Sequence, residues 1–171
     1  MNAIVVDNFF NNYNNIKDYF KKIPLYDLEA YNKKFKQKQT WPGQRSPDIL
    51  KYNPCLYNLI LKEFFDKFNI GVNHILMDAF IHLRLEKDEI HDWIHQDSAR
   101  GHTHTLIVYL SETNLNSGTI LYNDEHQPTT TVNFVQNRAF LFKSELWHSS
   151  LNNHGNNIED GRLTLNCFLK L

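Results

Sequence analysis

The second half of the chain carries a repeated β-strand pattern, and this pattern constrains the fold more than any other feature. Phe80, His82 and Arg84 alternate with small or aliphatic residues, which is the period-two spacing of a strand. Further strand-like runs follow, with Asn-rich and Gly-rich stretches in the turns between them. These runs cover Thr103–Leu110, Gly118–Tyr122, Thr129–Val135, Arg138–Phe142 and Leu163–Leu171. Many short strands of this kind predict a sheet sandwich or barrel.

The first half of the chain has helical spacing instead. Asp7 can cap a helix whose aromatic and aliphatic residues recur as far as Ile23. Ser46-Pro47-Asp48 and Asn53-Pro54 are helix start signals, and the second precedes an apolar face within Leu56–Phe68. Helices followed by many strands predict an α+β protein. We expect one domain over residues 1–171, with mainly helical support in 1–72 and a β core in 73–171.

Length and charge narrow the class of protein. A chain of 171 residues suits a single domain with its own core. The formal net charge of −1 gives no general reason to expect nucleic acid or anionic membrane as a partner. No apolar run approaches the roughly 18 residues of a membrane span, and the N-terminus lacks a signal-peptide pattern. Cys55 and Cys167 suit reduced thiols better than a disulfide framework. We therefore predict a soluble, cytoplasmic protein.

A group of potential metal ligands lies within the strand region. His95 and Asp97 are two residues apart, so on a strand they point the same way. His148 follows 51 residues later, which leaves room for a hairpin or two between the ligands. In a double-stranded β-helix, two antiparallel sheets roll face to face and bring distant strands together. Two imidazoles and one carboxylate can occupy one face of an octahedral iron(II) site.

An arginine follows the last of these ligands. Arg162 begins the final strand-like run, 14 residues after His148. Its side chain can point into the same cavity. A guanidinium there could bind the remote carboxylate of a co-substrate through two parallel, charge-assisted hydrogen bonds.

Other histidines provide weaker alternatives. The chain has nine histidines, so one His-x-Asp pair would arise easily by chance. His91 and His95 could form a zinc pair if they lay on a helix. No further ligand set competes with Asp97 and His148, so we place His91 at the cavity mouth or on the surface. His102 and His104 flank a strand start, where exposed positions are expected.

Two polar regions are candidates for substrate contacts. The segment Asn32–Arg45 is basic and contains Trp41 and a Pro-Gly turn. It is either a solvated loop or a flap over a substrate groove, in which Trp41 and Arg45 would contact the substrate. His82 and Arg84 lie on one face of a strand. That face is either exposed or a polar cavity wall, since arginine in a sheet interior needs an anionic partner.

The ordered pattern His-x-Asp…His…Arg-x-Thr resembles that of the 2-oxoglutarate and iron(II) dependent oxygenases. The run Leu106–Leu110 and the sequence Ser117-Gly118-Thr119 are similar to the prolyl-hydroxylase-like branch. Collagen-type prolyl hydroxylases use lysine where Arg162 stands, so the arginine matches the oxygen-sensing type and several other branches. The resemblance implies a jelly-roll, cupin-like double-stranded β-helix in the C-terminal half, with N-terminal helices packed on it.

The resemblance also implies a chemistry. His95, Asp97 and His148 would bind iron(II), which leaves positions for 2-oxoglutarate and dioxygen. The far carboxylate of 2-oxoglutarate would contact Arg162 and a hydroxyl from Thr164 or Tyr109. The expected reaction hydroxylates a C–H bond and releases succinate and carbon dioxide. A peptidyl proline is the first expected substrate, so a peptide or protein partner is predicted, and no oligomeric state is.

Two other functions remain open at the level of sequence. The same oxygenase chemistry could act on nucleic acid or on a small metabolite, although the basic part of Asn32–Arg45 is the one electrostatic hint of nucleic-acid binding. A cupin-like barrel with the same ligands could also bind metal without oxygenase activity. Arg162 would then bind some other acid.

Overall fold

The computed structural model describes residues 3–70, 75–88 and 94–171. Within these ranges the helices are α1 (Tyr13–Phe20), α2 (Leu28–Phe35), α3 (Ile49–Tyr52) and α4 (Pro54–Lys67), with a short 3₁₀ turn at Ala99–Gly101. The strands are β1 (Ala3–Val6), β2 (Tyr26–Asp27), β3 (Gln44–Arg45), β4 (Leu76–Arg84), β5 (His104–Tyr109), β6 (Asn114–Tyr122), β7 (Pro128–Phe134), β8 (Ala139–Lys143), β9 (Trp147–Leu151) and β10 (Arg162–Lys170).

The strands form two antiparallel sheets. The larger sheet has seven strands in the order β1-β8-β5-β10-β4-β3-β2, and the smaller has three in the order β7-β6-β9. Neighbours in each sheet are mostly distant in sequence, as rolled jelly-roll strands are. This architecture confirms the predicted α+β fold with a double-stranded β-helix core.

Two apolar cores hold the layers together. In β5, Leu106 and Val108 join the core between the large sheet and the helices, whereas Ile107 and Tyr109 join the core between the two sheets. Successive strand residues point to opposite faces. Because both faces of β5 are covered, its run Leu106–Tyr109 is continuously apolar or aromatic rather than alternating.

The N-terminal half contains more strand than its helical spacing indicates. The strands β1, β2 and β3 all join the large sheet. Helix α1 begins at Tyr13, with Asn12 at the N-cap position, so the predicted cap at Asp7 is wrong. Asp7 instead accepts a hydrogen bond of 2.6 Å from Nε of Arg138. Helix capping signals are read from neighbouring residues, so they cannot predict an ion pair with a residue 131 positions away.

The other helix start signals agree with the structure. The Asn53 side chain accepts a hydrogen bond from Leu56 N, and Pro54 opens helix α4. Asp48 caps α3 by accepting a hydrogen bond from Leu50 N. None of the helices among the described residues is both long and apolar enough to cross a membrane.

The register of the large sheet aligns the polar residues on its inner face. Arg162 on β10 lies opposite Arg84 on β4, and Thr164 lies opposite His82. His82 in turn lies opposite Arg45 on β3. Cross-strand neighbours point to the same side of a sheet. The pairing therefore collects the sequence-predicted polar residues on one wall.

Candidate active site

Backbone pairing brings the two ends of the His-x-Asp…His pattern together. His95 and His148 form an isolated antiparallel bridge, with N···O distances of 3.0 and 2.9 Å in the two directions. Asp97 N donates to the carbonyl of Ser144 at 2.8 Å. Three main-chain hydrogen bonds therefore fix the segment 95–97 beside β9 and the turn before it, although His148 is 51 positions after Asp97 in the sequence.

The three side chains converge. Nε2 of His148 lies 3.2 Å from Oδ2 of Asp97, and Nε2 of His95 lies 3.6 Å from Oδ1 of Asp97. One ligand atom from each residue lies within 4.8 Å of the other two. Two imidazole nitrogens and a carboxylate oxygen are the donor set of a facial iron(II) site. The residues present are therefore chemically suited to this metal.

Neighbouring groups orient the three side chains. Nδ1 of His148 donates to the carbonyl of Leu146 at 3.0 Å, which leaves Nε2 to face Asp97. The Thr105 hydroxyl donates to Oδ2 of Asp97 at 3.1 Å. Burial opposes ionisation of Asp97, but the hydrogen bond and charge of His148, with smaller effects from His95 and Thr105, keep its pKa below the usual value. Asp97 is therefore an anion at neutral pH.

Loss of the Thr105 hydroxyl is expected to weaken metal binding without removing a ligand. Thr105→Val keeps the volume of a side chain that is 1% exposed. Loss of such an outer hydrogen bond typically lowers metal affinity by about 10- to 100-fold. Anaerobic calorimetric titration with iron(II) measures the change. Thr129→Val is the control, because the Thr129 hydroxyl donates to the carbonyl of Leu121 and not to a ligand. Equal affinities of Thr105→Val and the unmodified protein would refute the orienting role.

The three residues open onto one cavity of about 430 Å³. Arg162 lines the same cavity. So do all four residues that the sequence marks as substrate candidates: Trp41, Arg45, His82 and Arg84. The structure thus brings these candidates together, and their roles remain predictions.

Arg162 lies deep in this cavity and is only 4% exposed. Its NH2 donates to the carbonyl of Gly118 at 3.0 Å and lies 3.5 Å from Oγ1 of Thr119. The guanidinium carbon lies 5.7 Å from the centre of the Phe134 ring. A guanidinium fixed in this way, in a water-poor environment, is preorganised to bind a carboxylate.

The two hydroxyls expected to accompany Arg162 are both fully buried. The Tyr109 hydroxyl donates to the carbonyl of Val132 at 2.9 Å and lies 3.0 Å from Oγ1 of Thr119. Oγ1 of Thr164 donates to the carbonyl of His82 at 3.4 Å. Neither residue lines the cavity, whereas Thr119 does. Contact of Tyr109 or Thr164 with a co-substrate therefore stays a prediction. The Thr119 side chain provides a further hydroxyl group beside Arg162.

The segment Asn32–Arg45 is solvated at its lysines, which are exposed, and lines the cavity with other residues that include Trp41 and Arg45. Its ends belong to α2 and β3. Trp41 is only 8% exposed, and its ring lies 5.7 Å from that of His82. Nε2 of His82 donates to the carbonyl of Pro42 at 2.7 Å. Burial, and then the charge of Arg45, lower the pKa of His82 well below its usual value, so this histidine is a neutral anchor for the segment.

Two further histidine predictions concern His102 and His91. Nε2 of His102 lies 3.3 Å from Oδ2 of Asp78, and His102 lines the cavity, so its predicted exposure is wrong. Asp78 lies on β4, 24 residues before His102 in the sequence, and strand spacing near His102 does not predict this contact. His91, with its possible zinc pairing and its predicted surface position, lies outside the described residues.

No family model and no curated protein sequence matches the chain. Among solved structures, a 2OG-Fe(II) oxygenase family oxidoreductase from Burkholderia pseudomallei is similar over 99% of this chain and 84% of its own, with a TM-score of 0.71 and 11% identity. The chain has the fold of the 2-oxoglutarate and iron(II) oxygenases. At this identity the likeness establishes the fold alone, so the chemistry depends on the residues in the cavity.

Two further structures with the oxygenase fold differ in their ligands. The epimerase SnoN, in complex with Fe3+, alpha ketoglutarate and nogalamycin RO, is 12% identical, with a TM-score of 0.64 over 98% of this chain and 78% of its own. A prolyl hydroxylase from Trichoplax adhaerens, in complex with a peptide fragment of hypoxia inducible factor, is also 12% identical, with a TM-score of 0.58 over 98% and 83%. The oxygenase fold therefore accommodates both small-molecule and peptide ligands.

Proposed function

We propose that the protein is an iron(II)- and 2-oxoglutarate-dependent dioxygenase that hydroxylates a C–H bond. The observation that carries this proposal is the presence of the His95–Asp97–His148 cluster and Arg162 in one cavity. The oxygenase fold supports it, and the SnoN complex is an example of that fold with iron and alpha ketoglutarate.

Each cavity residue has a defined part in this proposal. His95, Asp97 and His148 would bind iron(II), which together with 2-oxoglutarate and dioxygen supplies the oxidation of the substrate C–H bond, with release of succinate and carbon dioxide. Arg162 binds the far carboxylate of 2-oxoglutarate through its guanidinium. A hydroxyl from Thr164 or Tyr109 assists, and Thr119 lies beside the same guanidinium. The apolar residues around Arg162 exclude water, which strengthens the ion pair.

The preferred substrate within this function is a peptidyl proline. Support comes from the sequence resemblance to the prolyl-hydroxylase-like branch and from the Trichoplax prolyl hydroxylase of the same fold, which holds a peptide. The cavity of about 430 Å³ has room for a side chain beside 2-oxoglutarate. Specificity in such a site depends on the residues that face the substrate, namely Trp41, Arg45, His82 and Arg84 in this chain.

Two measurements test the proposal. Anaerobic titration of the iron(II)-loaded protein with 2-oxoglutarate should produce a metal-to-ligand absorption band. In air, succinate should form from 2-oxoglutarate, and a proline-containing peptide should accelerate its formation relative to the same peptide with alanine. A folded, iron-loaded protein that neither binds 2-oxoglutarate nor forms succinate would contradict oxygenase function. Equal acceleration by the two peptides would contradict only the prolyl substrate.

A further inference from the structure

We propose that Arg45 binds a carboxylate of the substrate, so that the substrate of this enzyme is an acid or carries an acidic group. This inference rests on the proposed oxygenase function, because it names the substrate class of the same cavity. It assigns to Arg45 a role separate from that of Arg162. The first arginine binds the substrate and the second binds the co-substrate.

The position of Arg45 is fixed by two aromatic rings. Its guanidinium carbon lies 4.6 Å from the centre of the Trp41 ring and 5.3 Å from that of Phe80. Both rings line the cavity, as Arg45 does. Cation–π contacts place the charge without neutralising it. They leave the hydrogen-bonding edge of the guanidinium available for an anion.

Arg45 has no polar partner of its own within the part of the chain that the structure describes. Its Nε is buried and without an acceptor, and so is Nε1 of the adjacent Trp41. Burial lowers the pKa of Arg45 to about 10, which still leaves it charged at neutral pH. Arg45 is half-buried, and removing a charge from water without a hydrogen-bonded partner is costly to the fold. An anionic ligand at this position would remove that cost.

The carboxylates of the cavity are committed elsewhere. Asp97 belongs to the candidate metal cluster. Asp78 lies 3.3 Å from Nε2 of His102, and Asp48 caps helix α3. The other two deep arginines, Arg84 and Arg162, have interactions of their own. Arg45 therefore lines the cavity without a hydrogen-bonded acceptor among the described residues, and of the cavity carboxylates Asp97 is the one whose charge acts on it.

The ligand that we assign to Arg45 is a carboxylate. The parallel N–H donors of a guanidinium match the two oxygens of that group. The cavity of about 430 Å³ must also contain 2-oxoglutarate, so the substrate group is small. The carboxylate could belong to a free amino acid, to the C-terminus of a peptide, or to an Asp side chain beside the target residue.

Matched acid and neutral probes test the assignment. The probes are L-proline with L-prolinamide, N-acetyl-L-proline with its amide, and a capped Pro-Asp peptide with its Pro-Asn counterpart. Binding is measured by calorimetry on the full chain with iron(II) and 2-oxoglutarate, without oxygen. In at least one pair we expect the acid to bind about 10-fold tighter or more, which corresponds to one additional charge-assisted hydrogen bond. The pair that responds identifies the source of the carboxylate.

Substitution of Arg45 should remove this preference. Arg45→Gln is expected to bind acid and neutral probes equally, and Arg45→Lys to retain part of the difference. The affinity of both variants for 2-oxoglutarate should stay within about twofold of that of the unmodified protein. Substitution of Arg162 should instead weaken that affinity. Arg138→Gln, at an arginine that pairs with Asp7 away from the cavity, should keep the full preference. Thermal melting confirms that each variant is folded.

Three results would overturn the inference. The first is equal binding, or no binding, of the acid and neutral members of every pair by the unmodified protein. The second is an acid preference that persists in Arg45→Gln. The third is a selective loss of 2-oxoglutarate affinity in Arg45→Gln, which would make Arg45 a co-substrate residue. Failure of the proposed function is distinct, because the unmodified protein would then give no 2-oxoglutarate absorption band.

Discussion

Replacement of His148 by alanine is expected to abolish stable iron(II) binding and reduce succinate formation to background. His148 is 4% exposed, and its Nε2 faces Asp97 at 3.2 Å. The substitution removes one of three protein ligands and leaves a void where the imidazole was. The effect should exceed the roughly 10- to 100-fold loss in metal affinity that follows from the loss of an outer hydrogen bond. Anaerobic metal titration and a succinate assay measure the two effects separately.

A surface histidine provides the control for this experiment. His126 is exposed and packs against Trp147 at 4.6 Å between ring centres, outside the candidate metal cluster. His126→Ala should retain iron binding and turnover. Thermal melting of both variants shows whether the fold survives. A folded His148→Ala protein that still binds iron(II) with unchanged affinity would remove His148 from the ligand set.

Replacement of Arg162 by glutamine should chiefly raise the 2-oxoglutarate concentration needed for half-maximal activity. Removing one partner of a buried, hydrogen-bonded charge pair costs about 2–5 kcal/mol. That loss corresponds to a roughly 30- to 5,000-fold weaker affinity. Glutamine keeps a donor near the carbonyl of Gly118, which Arg162 contacts at 3.0 Å. The charge is therefore the main property that is lost.

The dependence of succinate formation on 2-oxoglutarate concentration measures this effect. Iron(II) affinity should stay unchanged, because Arg162 is not one of the metal-ligand candidates. Arg138→Gln is the matched control, since Arg138 pairs with Asp7 outside the cavity. Unaltered 2-oxoglutarate affinity in Arg162→Gln would assign the co-substrate carboxylate to another residue.

Local sequence patterns predicted several strands around the site, but not β9, which carries His148. The period-two spacing around His82 and the apolar run before His148 correspond to β4 and β8. Arg162 begins β10, as predicted. Such patterns can be recognised in a sequence because strand alternation and helix capping each involve residues only a few positions apart. The spacing of His95 and Asp97 is local in the same sense.

Other residues of the site could not be predicted from the local sequence. Strands β2 and β3 have two residues each, which is too short for any periodicity, and β3 exists because it pairs with β4. Thr105 contacts Asp97, and Thr119 lies beside Arg162. A threonine in a strand has the same appearance whether or not it supports a ligand. The Ser117-Gly118-Thr119 similarity was the one available hint for Thr119.

The sequence by itself determined the types of residue and their order: two histidines and an aspartate suited to iron, and an arginine after them at the start of the last strand. The tertiary structure decided which residues share a cavity. It placed Arg45 beside Trp41 and Phe80, buried Tyr109 and Thr164 completely, and brought His102 to Asp78. The reason is physical: strand alternation is a property of neighbours in sequence, whereas the partner of a buried charge is set by sheet register and by segments far along the chain.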